Sequence, residues 1–134
     1  MPVMPPPFIT TITAADADID EMGHVNNAVW VRWIQDVATM HWEAAADPAH
    51  VATYAWVVTR HEIDYRGNVQ VGETVTAKTW VGEAPRGARF DRLMEFTGAD
   101  GKVKVAAKTT WAIVDRATQR ILRVPVEVAA PFVD

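Results

Sequence analysis

The chain of 134 residues contains no cysteine and only seven glycines, and these shortages exclude several kinds of site. Without cysteine there is no disulfide, no thiolate zinc site and no cysteine nucleophile. No glycine-rich phosphate loop is present. The net charge is −4 and there is no basic run, so nucleic acid is not an expected partner.

Long apolar runs are also missing, because none approaches the roughly 20 residues of a membrane span. The first residues, MPVMPPPFIT, have neither a charged n-region nor a long apolar h-region, so a signal peptide is not predicted and we expect a cytoplasmic protein. Residues 1–7 are proline-rich and predict an N-terminal arm. The hydrophobic content of 49% is enough for a core, and we expect one domain over residues 1–134.

One long helix is predicted over residues 27–45, the segment NAVWVRWIQDVATMHWEAA. Its polar side chains share a single stripe at helical spacing: Arg32, Asp36, Thr39 and Glu43. Nearly all its other residues are apolar, so we expect the helix to be buried on most sides. Asn26 or Asn27 would cap its start, and Asp47 with Pro48 would end it.

Most of the remaining chain predicts β-strands, because apolar and polar residues alternate. The predicted strands are residues 8–14, 54–65, 73–81, 89–96 and 103–113, with a further short strand at 121–124 and a helical turn from Pro125. Short turns such as residues 98–101 imply antiparallel pairing. The order predicts an α+β domain in which an antiparallel sheet wraps one helix, with association through an edge strand or the polar stripe.

The loop before the helix carries Asp18, Asp20 and His24, and its position makes it a candidate catalytic site. Free N–H groups and the positive end of the helix dipole would polarise a carbonyl oxygen placed there. A carboxylate just upstream can then act as a base or a nucleophile. The alternative is that the aspartates cap a turn and the histidine packs, and the local spacing alone favours this structural role.

The segment DIDEMGHVNN, residues 18–27, resembles the D-x-D-x-x-G-h-V-N-N signature of hot-dog fold acyl-CoA thioesterases of the 4-hydroxybenzoyl-CoA thioesterase-like family. Residues 57–65 and 71–74 are similar to the second strand of that family and the turn after it, and residues 108–115 resemble its last long strand. The resemblance extends over about residues 8 to 126. It implies a hot-dog fold, an antiparallel sheet wrapped around one long central α-helix.

The resemblance also implies an activity, the hydrolysis of an acyl-CoA thioester to a free acid and coenzyme A. The family's catalytic carboxylate corresponds to Asp20, as base or nucleophile, and its carbonyl-polarising amide corresponds to the backbone N–H of Asn27. His24 would donate to Asp20, to Asn26 or to substrate, although a packed histidine fits the pattern equally well. The other signature residues would line the substrate: Gly23, Val25 and Asn26.

Arg86 and Arg89, in the segment PRGARF, lie near where relatives hold cations for the coenzyme A phosphates. A solvated strand end is the competing interpretation for each of them. No cofactor is expected, since coenzyme A is part of the substrate. His41 and His61 have no partner at metal spacing, so no metal site is expected. A homodimer or homotetramer with each site between subunits is the expected assembly.

Three other carboxylates are left out of the predicted site. Asp18 is expected to fix the loop, and Glu43 lies about five helical turns from Asn27. Asp64 is expected to be a structural carboxylate paired with a neighbouring arginine.

Two other functions remain to be distinguished from hydrolysis. One is a non-catalytic hot-dog protein that binds an acyl thioester of coenzyme A or of acyl carrier protein. The other is a hot-dog dehydratase or hydratase, which ranks last because the D-x-N-P-x-H pattern of hydratases does not occur in the sequence.

Overall fold

The computed structural model describes residues 5–133 and contains one five-stranded sheet. The strands are β1 (Phe8–Thr13), β2 (Tyr54–Tyr65), β3 (Thr74–Trp80), β4 (Arg89–Thr97) and β5 (Val103–Asp115). Their order in the sheet is β1-β3-β4-β5-β2, and every neighbouring pair is antiparallel. The five long strands and their antiparallel pairing were predicted correctly, with bounds shifted by at most two residues.

Three α-helices accompany the sheet: α1 (Asn27–Ala45), α2 (Pro48–Thr53) and α3 (Val126–Val133). The bounds of α1 agree with the prediction. Its N-cap is Asn26, whose side-chain oxygen accepts from the N–H of Ala28 at 2.8 Å. Within residues 5–133, no helix is long and apolar enough to cross a membrane.

One short helix was not predicted, and one predicted strand was wrong. Asp47 and Pro48 do end α1, but they also begin α2, which was not predicted; Asp47 accepts from the N–H of Ala49, and proline fits the first turn of a helix. Residues 121–124 form only a single bridge, from Ile121 to Val114, and not the expected strand. Of the predicted arm, residues 1–4 lie outside the described range.

Helix α1 packs across one face of the sheet and leaves its opposite side open. Trp30, Trp33 and Ile34 are buried, whereas Gln35 and Met40 are exposed together with the polar stripe. The expectation that α1 is buried on most sides is therefore wrong for one chain. A single sheet covers only the side of a helix that faces it.

The core is divided into two clusters. The first cluster lies under the N-terminal half of α1 and includes Trp30, Trp33, Val37, Met94 and Phe96. The second cluster lies under its C-terminal end and includes Trp42, Val81, Phe90, Ile113 and Phe132.

A row of polar side chains separates these clusters. Strands β3, β4 and β5 each contribute residues to both clusters. The inward-facing residue that lies between the two sets is Thr79 on β3, Arg92 on β4 and Thr109 on β5. The exposed fractions of Thr79 and Thr109 are 0% and 1%. His41 takes the corresponding place on α1. The two ends of the molecule therefore have separate apolar cores.

Candidate active site

Residues 18–26 form a small hairpin that leads into α1. The N–H of Asn26 donates to the carbonyl of Asp18 at 2.9 Å, and the N–H of Asp20 donates to the carbonyl of His24 at 2.8 Å. Gly23 has a φ of +81° in the closing turn, a conformation that favours glycine over residues with a Cβ. The predicted acidic loop and the helix start are thereby held at one end of the molecule.

Asp20 is half-buried in this hairpin and keeps one carboxylate oxygen free. Its Oδ1 accepts from the N–H groups of Met22 at 2.9 Å and of His24 at 3.3 Å. Its Oδ2 makes no hydrogen bond within residues 5–133. The backbone contacts orient the carboxylate, and the free oxygen is available to a water molecule or a carbonyl carbon.

His24 contacts Asp20 through its backbone and not through its ring. Its imidazole is half-buried and makes no hydrogen bond among the residues that the structure describes. The next residue, Val25, is buried, and its N–H donates to the carbonyl of Val69 at 2.8 Å. This bond connects the hairpin to the segment before β3. The structure therefore places His24 beside Asp20, and its ring makes neither of the two contacts considered within the chain, those with Asp20 and Asn26.

Asn27 is the first residue of α1, so its N–H has no acceptor within the helix. It also finds no acceptor elsewhere in residues 5–133. The cap made by Asn26 fixes the direction of this first turn, and the hydroxyl of Tyr65 donates to the carbonyl of Asn27 at 3.4 Å. The Asn27 N–H is therefore a free donor at the positive end of the helix dipole.

Asp18 has the structural role that was predicted for it. Its carboxylate accepts from the N–H of Ala15 at 2.9 Å and from Nη2 of Arg32 at 2.8 Å. The Ala15 N–H, and then Arg32, lower the pKa of Asp18 below its ordinary value. Because Arg32 belongs to α1, this ion pair fastens the hairpin to the helix.

The two arginines predicted to bind coenzyme A do not lie at the end of the molecule that holds the acidic hairpin. Arg89 pairs with Ala112 on β5, whereas Tyr65, which contacts Asn27, pairs with Val105. Seven residues of extended strand separate these positions, a distance of about 23 Å. Arg86, three residues before Arg89 and bridged to it, lies at the same remote end. Within one chain the structure separates these arginines from the helix start.

The carboxylates left out of the prediction have no part in this hairpin. Glu43 is exposed near the C-terminal end of α1. Asp64 is exposed and pairs with Arg66 at 3.7 Å, as expected of a weak surface ion pair. No group of three or more histidines and carboxylates within the described residues is arranged to hold a metal ion.

A second polar site at the other end of α1 was missed by the sequence analysis. Nη1 of Arg92 donates to Nδ1 of His41 at 2.8 Å and to Oγ1 of Thr79 at 3.1 Å. Burial lowers the pKa of Arg92 to about 10, and burial together with the Arg92 charge lowers the pKa of His41 to about 4. The available signal was an arginine at an inward position of β4, between Phe90 and Met94.

A cavity of about 180 Å³ adjoins Arg92. It lies between the C-terminal half of α1, β2 and β4, close to α3. Its aromatic walls are Trp42, Trp56, Phe90, Trp111 and Phe132. This cavity and the acidic hairpin are at opposite ends of α1.

Comparison with known proteins agrees with the fold. A family model described as the thioesterase-like superfamily matches residues 15–132. A chloroplastic acyl-[acyl-carrier-protein] hydrolase from Cuphea viscosissima is 27% identical over 78 residues, which are 58% of this chain and 19% of that protein. The chain thus spans about a fifth of that relative's length.

Two solved structures illustrate the similarity in fold. The structure of a hypothetical protein from Staphylococcus aureus in complex with CoA has a TM-score of 0.84. The two sequences are 15% identical, and the match covers 98% of this chain and 84% of that one. A probable thioesterase from Escherichia coli has a TM-score of 0.79 at 22% identity, over 94% and 98% of the two chains. The expected hot-dog fold is confirmed, and the chain belongs to the thioesterase-like superfamily.

Proposed function

We propose that this protein hydrolyses an acyl-CoA thioester to a free acid and coenzyme A, with Asp20 and the N–H of Asn27 as the catalytic groups. The observation that carries the proposal is the hairpin of residues 18–26. It holds a carboxylate with a free oxygen next to a helix start with a free N–H. A thioester carbonyl between them would meet an attacking group on one side and an oxyanion donor on the other.

The chemistry can follow either of two routes from this arrangement. As a base, Asp20 takes a proton from water, the hydroxide adds to the carbonyl, and the thiolate of coenzyme A leaves. As a nucleophile, Asp20 adds to the carbonyl itself and expels the thiolate, and water then hydrolyses the resulting anhydride. In both routes the Asn27 N–H would stabilise the tetrahedral oxyanion, and one such donor is typically worth about a hundredfold or more in rate.

We further propose that the assembled site uses two subunits. Among the strands of residues 5–133, β2 pairs only with β5, so one edge of this 12-residue strand is unpaired there, and the polar side of α1 is open. An exposed edge of that length is a ready surface for pairing with a second copy. In a homodimer or homotetramer, Arg86 and Arg89 would reach substrate phosphates from the partner subunit or at the far end of coenzyme A.

A second candidate function is binding of an acyl thioester without turnover. It is favoured by one observation: Oδ1 of Asp20 accepts two N–H groups of its own turn, which is how a purely structural aspartate caps a loop. In this case the carbonyl would rest on the Asn27 N–H with no attacking group. Coenzyme A and acyl carrier protein would both be suitable carriers of the thioester.

The decisive experiment compares Asp20→Asn with Asp16→Asn. Asp16 is an exposed aspartate shortly before the hairpin, and its side chain makes no hydrogen bond in the described structure, so the same chemical change is made outside the site. Thiol release would be followed with short, medium, long and aromatic acyl-CoAs. We expect Asp20→Asn to lower kcat by about a hundredfold or more, while Asp16→Asn leaves it unchanged.

The binding alternative gives a different result in the same assay. If the wild-type protein releases no thiol but binds coenzyme A in calorimetry, the acidic hairpin is a cap and hydrolysis is excluded. If Asp20→Asn releases thiol as fast as the wild type, Asp20 is not the catalytic group.

A further inference from the structure

The guanidinium of Arg92 has donors without an acceptor among the described residues, and Arg92 borders a cavity with aromatic walls. A guanidinium carries five N–H donors, and the two on Nη1 are used by His41 and Thr79. The donors on Nε and Nη2 have no acceptor within residues 5–133. Neither atom is fully enclosed by protein. The fully enclosed side-chain nitrogen and oxygen atoms that lack a partner in the described residues are Nδ1 of His50 and Nε1 of Trp111. Arg92 itself lines the cavity.

This charge has no counter-ion in the described part of the chain. Within residues 5–133 no carboxylate oxygen lies within 4.0 Å of the Arg92 guanidinium, although Asp91 is its neighbour on β4. Asp91 is bound to Arg86 at 3.0 Å and to the hydroxyl of Thr110 at 2.7 Å. Glu43, the other carboxylate of the cavity lining, is exposed at the rim and makes no ion pair there.

Arg92 nevertheless stays charged, because its pKa of about 10 is above neutral pH. A largely buried cation without an anion is unfavourable, and a bound anion would remove that cost. The free Nε and Nη2 edge has the fork geometry that binds both oxygens of one carboxylate. Trp111 lines the same cavity, although its Nε1 is enclosed.

The cavity walls indicate the rest of the ligand. Trp42, Trp56 and Phe90 make them aromatic, and the volume of about 180 Å³ resembles that of an engineered cavity of about 150 Å³ that holds benzene. We propose that this cavity is a binding site for a small organic carboxylate of about the size of benzoate. The carboxylate lies on the free edge of Arg92, and the apolar body lies between the aromatic rings.

Within one chain this site is separate from the acidic hairpin. Ala38, the residue of α1 nearest the helix start among the cavity lining, is 11 residues from Asn27, which is about 16 Å along the helix. The inference therefore stands whether or not Asp20 is catalytic.

Calorimetric titration of the full chain with benzoate, benzyl alcohol and toluene tests the proposal. The three ligands share a ring, but only benzoate offers a carboxylate to Arg92. We expect benzoate to bind at least about tenfold more tightly than benzyl alcohol, which is typical of a charge-assisted contact. In nitrogen–proton spectra benzoate should shift the indole Nε1–H signal of Trp111, which is assigned by its absence in Trp111→Phe. Equal affinity for benzoate and benzyl alcohol would overturn the proposal without any mutation.

The matched variants are Arg92→Met and Arg123→Met. Arg123 is exposed and does not line the cavity. Arg92→Met should remove the preference for benzoate over benzyl alcohol, and Arg123→Met should keep it. If Arg92→Met does not fold, Arg92→Lys retains the charge without the fork and should bind benzoate several-fold more weakly than the wild type. A preference for benzoate that is unchanged in Arg92→Met or Arg92→Lys would refute the site.

Discussion

The two ends of helix α1 are built from different chemistry. At its start, the hairpin of residues 18–26 is closed by backbone hydrogen bonds, and its Asp20 carboxylate is only half-buried, whereas that of Asp18 is buried against Arg32. At its far end, the Arg92 side chain on β4 donates to His41 of α1 and to Thr79 of β3. At the helix start, polar groups are positioned by turns that are local in sequence. At the far end, polar groups are positioned by contacts between residues distant in sequence.

This difference separates what each end can do. A carboxylate held by its own turn can face incoming substrate without a large desolvation cost, which suits a group that must accept a proton or attack. A largely buried arginine can hold an anion firmly but can take no proton from it. We therefore assign proposed chemistry to the helix start and proposed binding to the far cavity.

Core substitutions give the largest expected contrast between the ends. Phe96 in the first cluster has an exposed fraction of 0% and packs edge-on against Trp30, with ring centroids 5.2 Å apart. Phe96→Ala should lower the free energy of unfolding by about 3–5 kcal/mol. Phe90→Ala, also on β4, should cost less, because one side of Phe90 already faces the cavity.

Urea unfolding of the two variants measures this contrast. An equal or greater loss for Phe90→Ala would mean that the cavity end is packed as tightly as the first cluster. The structural difference between the ends would then be wrong.

The pH dependence of stability should come mainly from the cavity end between pH 6.5 and 4. The pKa of His41 falls from 6.5 to about 4 on folding, so the unfolded chain takes up the proton first as the pH drops. The stabilisation is present above pH 6.5 and is lost as the pH falls towards 4. The shift corresponds to about 3 kcal/mol, and solvent screening reduces the expected loss to on the order of 2 kcal/mol.

Unfolding of the wild type and of His41→Gln over this pH range checks the prediction. A glutamine oxygen can accept from Arg92 but does not titrate, so the slope should shrink. A smaller slope should remain from His61, whose pKa is also lowered by burial. Asp18 affects stability at lower pH, because its pKa is lowered from 3.8 and the stabilisation it contributes is lost only in stronger acid. An identical slope in His41→Gln would show that His41 does not titrate in this way.

The start of α1 was easier to predict from the sequence than its far end, because local patterns define the first and long-range contacts define the second. The strands and α1 were predictable because their apolar periods, two and 3.6 residues, are local properties. The acidic loop could be singled out because its signature is one continuous segment, but its hairpin form was not predicted. The contact of Arg92 with His41 spans 51 residues, and no local pattern encodes it.

Two features of the helices were not predicted, for different physical reasons. The exposed side of α1, including Met40, was not predicted because an apolar helix sequence does not say how many neighbours cover it. Helix α2 was missed because a six-residue helix depends on its cap, Asp47, more than on periodicity. The separation of Arg89 from the helix start followed only from the strand register.

The smallest contrast concerns two helix caps of the same kind. Asn26 accepts from the N–H of Ala28 at the start of α1, and Asp47 accepts from the N–H of Ala49 at the start of α2, both at 2.8 Å. Each alanine substitution should cost about 1 kcal/mol of stability in urea unfolding. Only Asn26→Ala should also slow thiol release, because Asn26 orients the turn that presents the Asn27 N–H. Equal rates in the two variants would show that the first turn of α1 does not need its cap to polarise the thioester, and would move the proposed oxyanion donor away from Asn27.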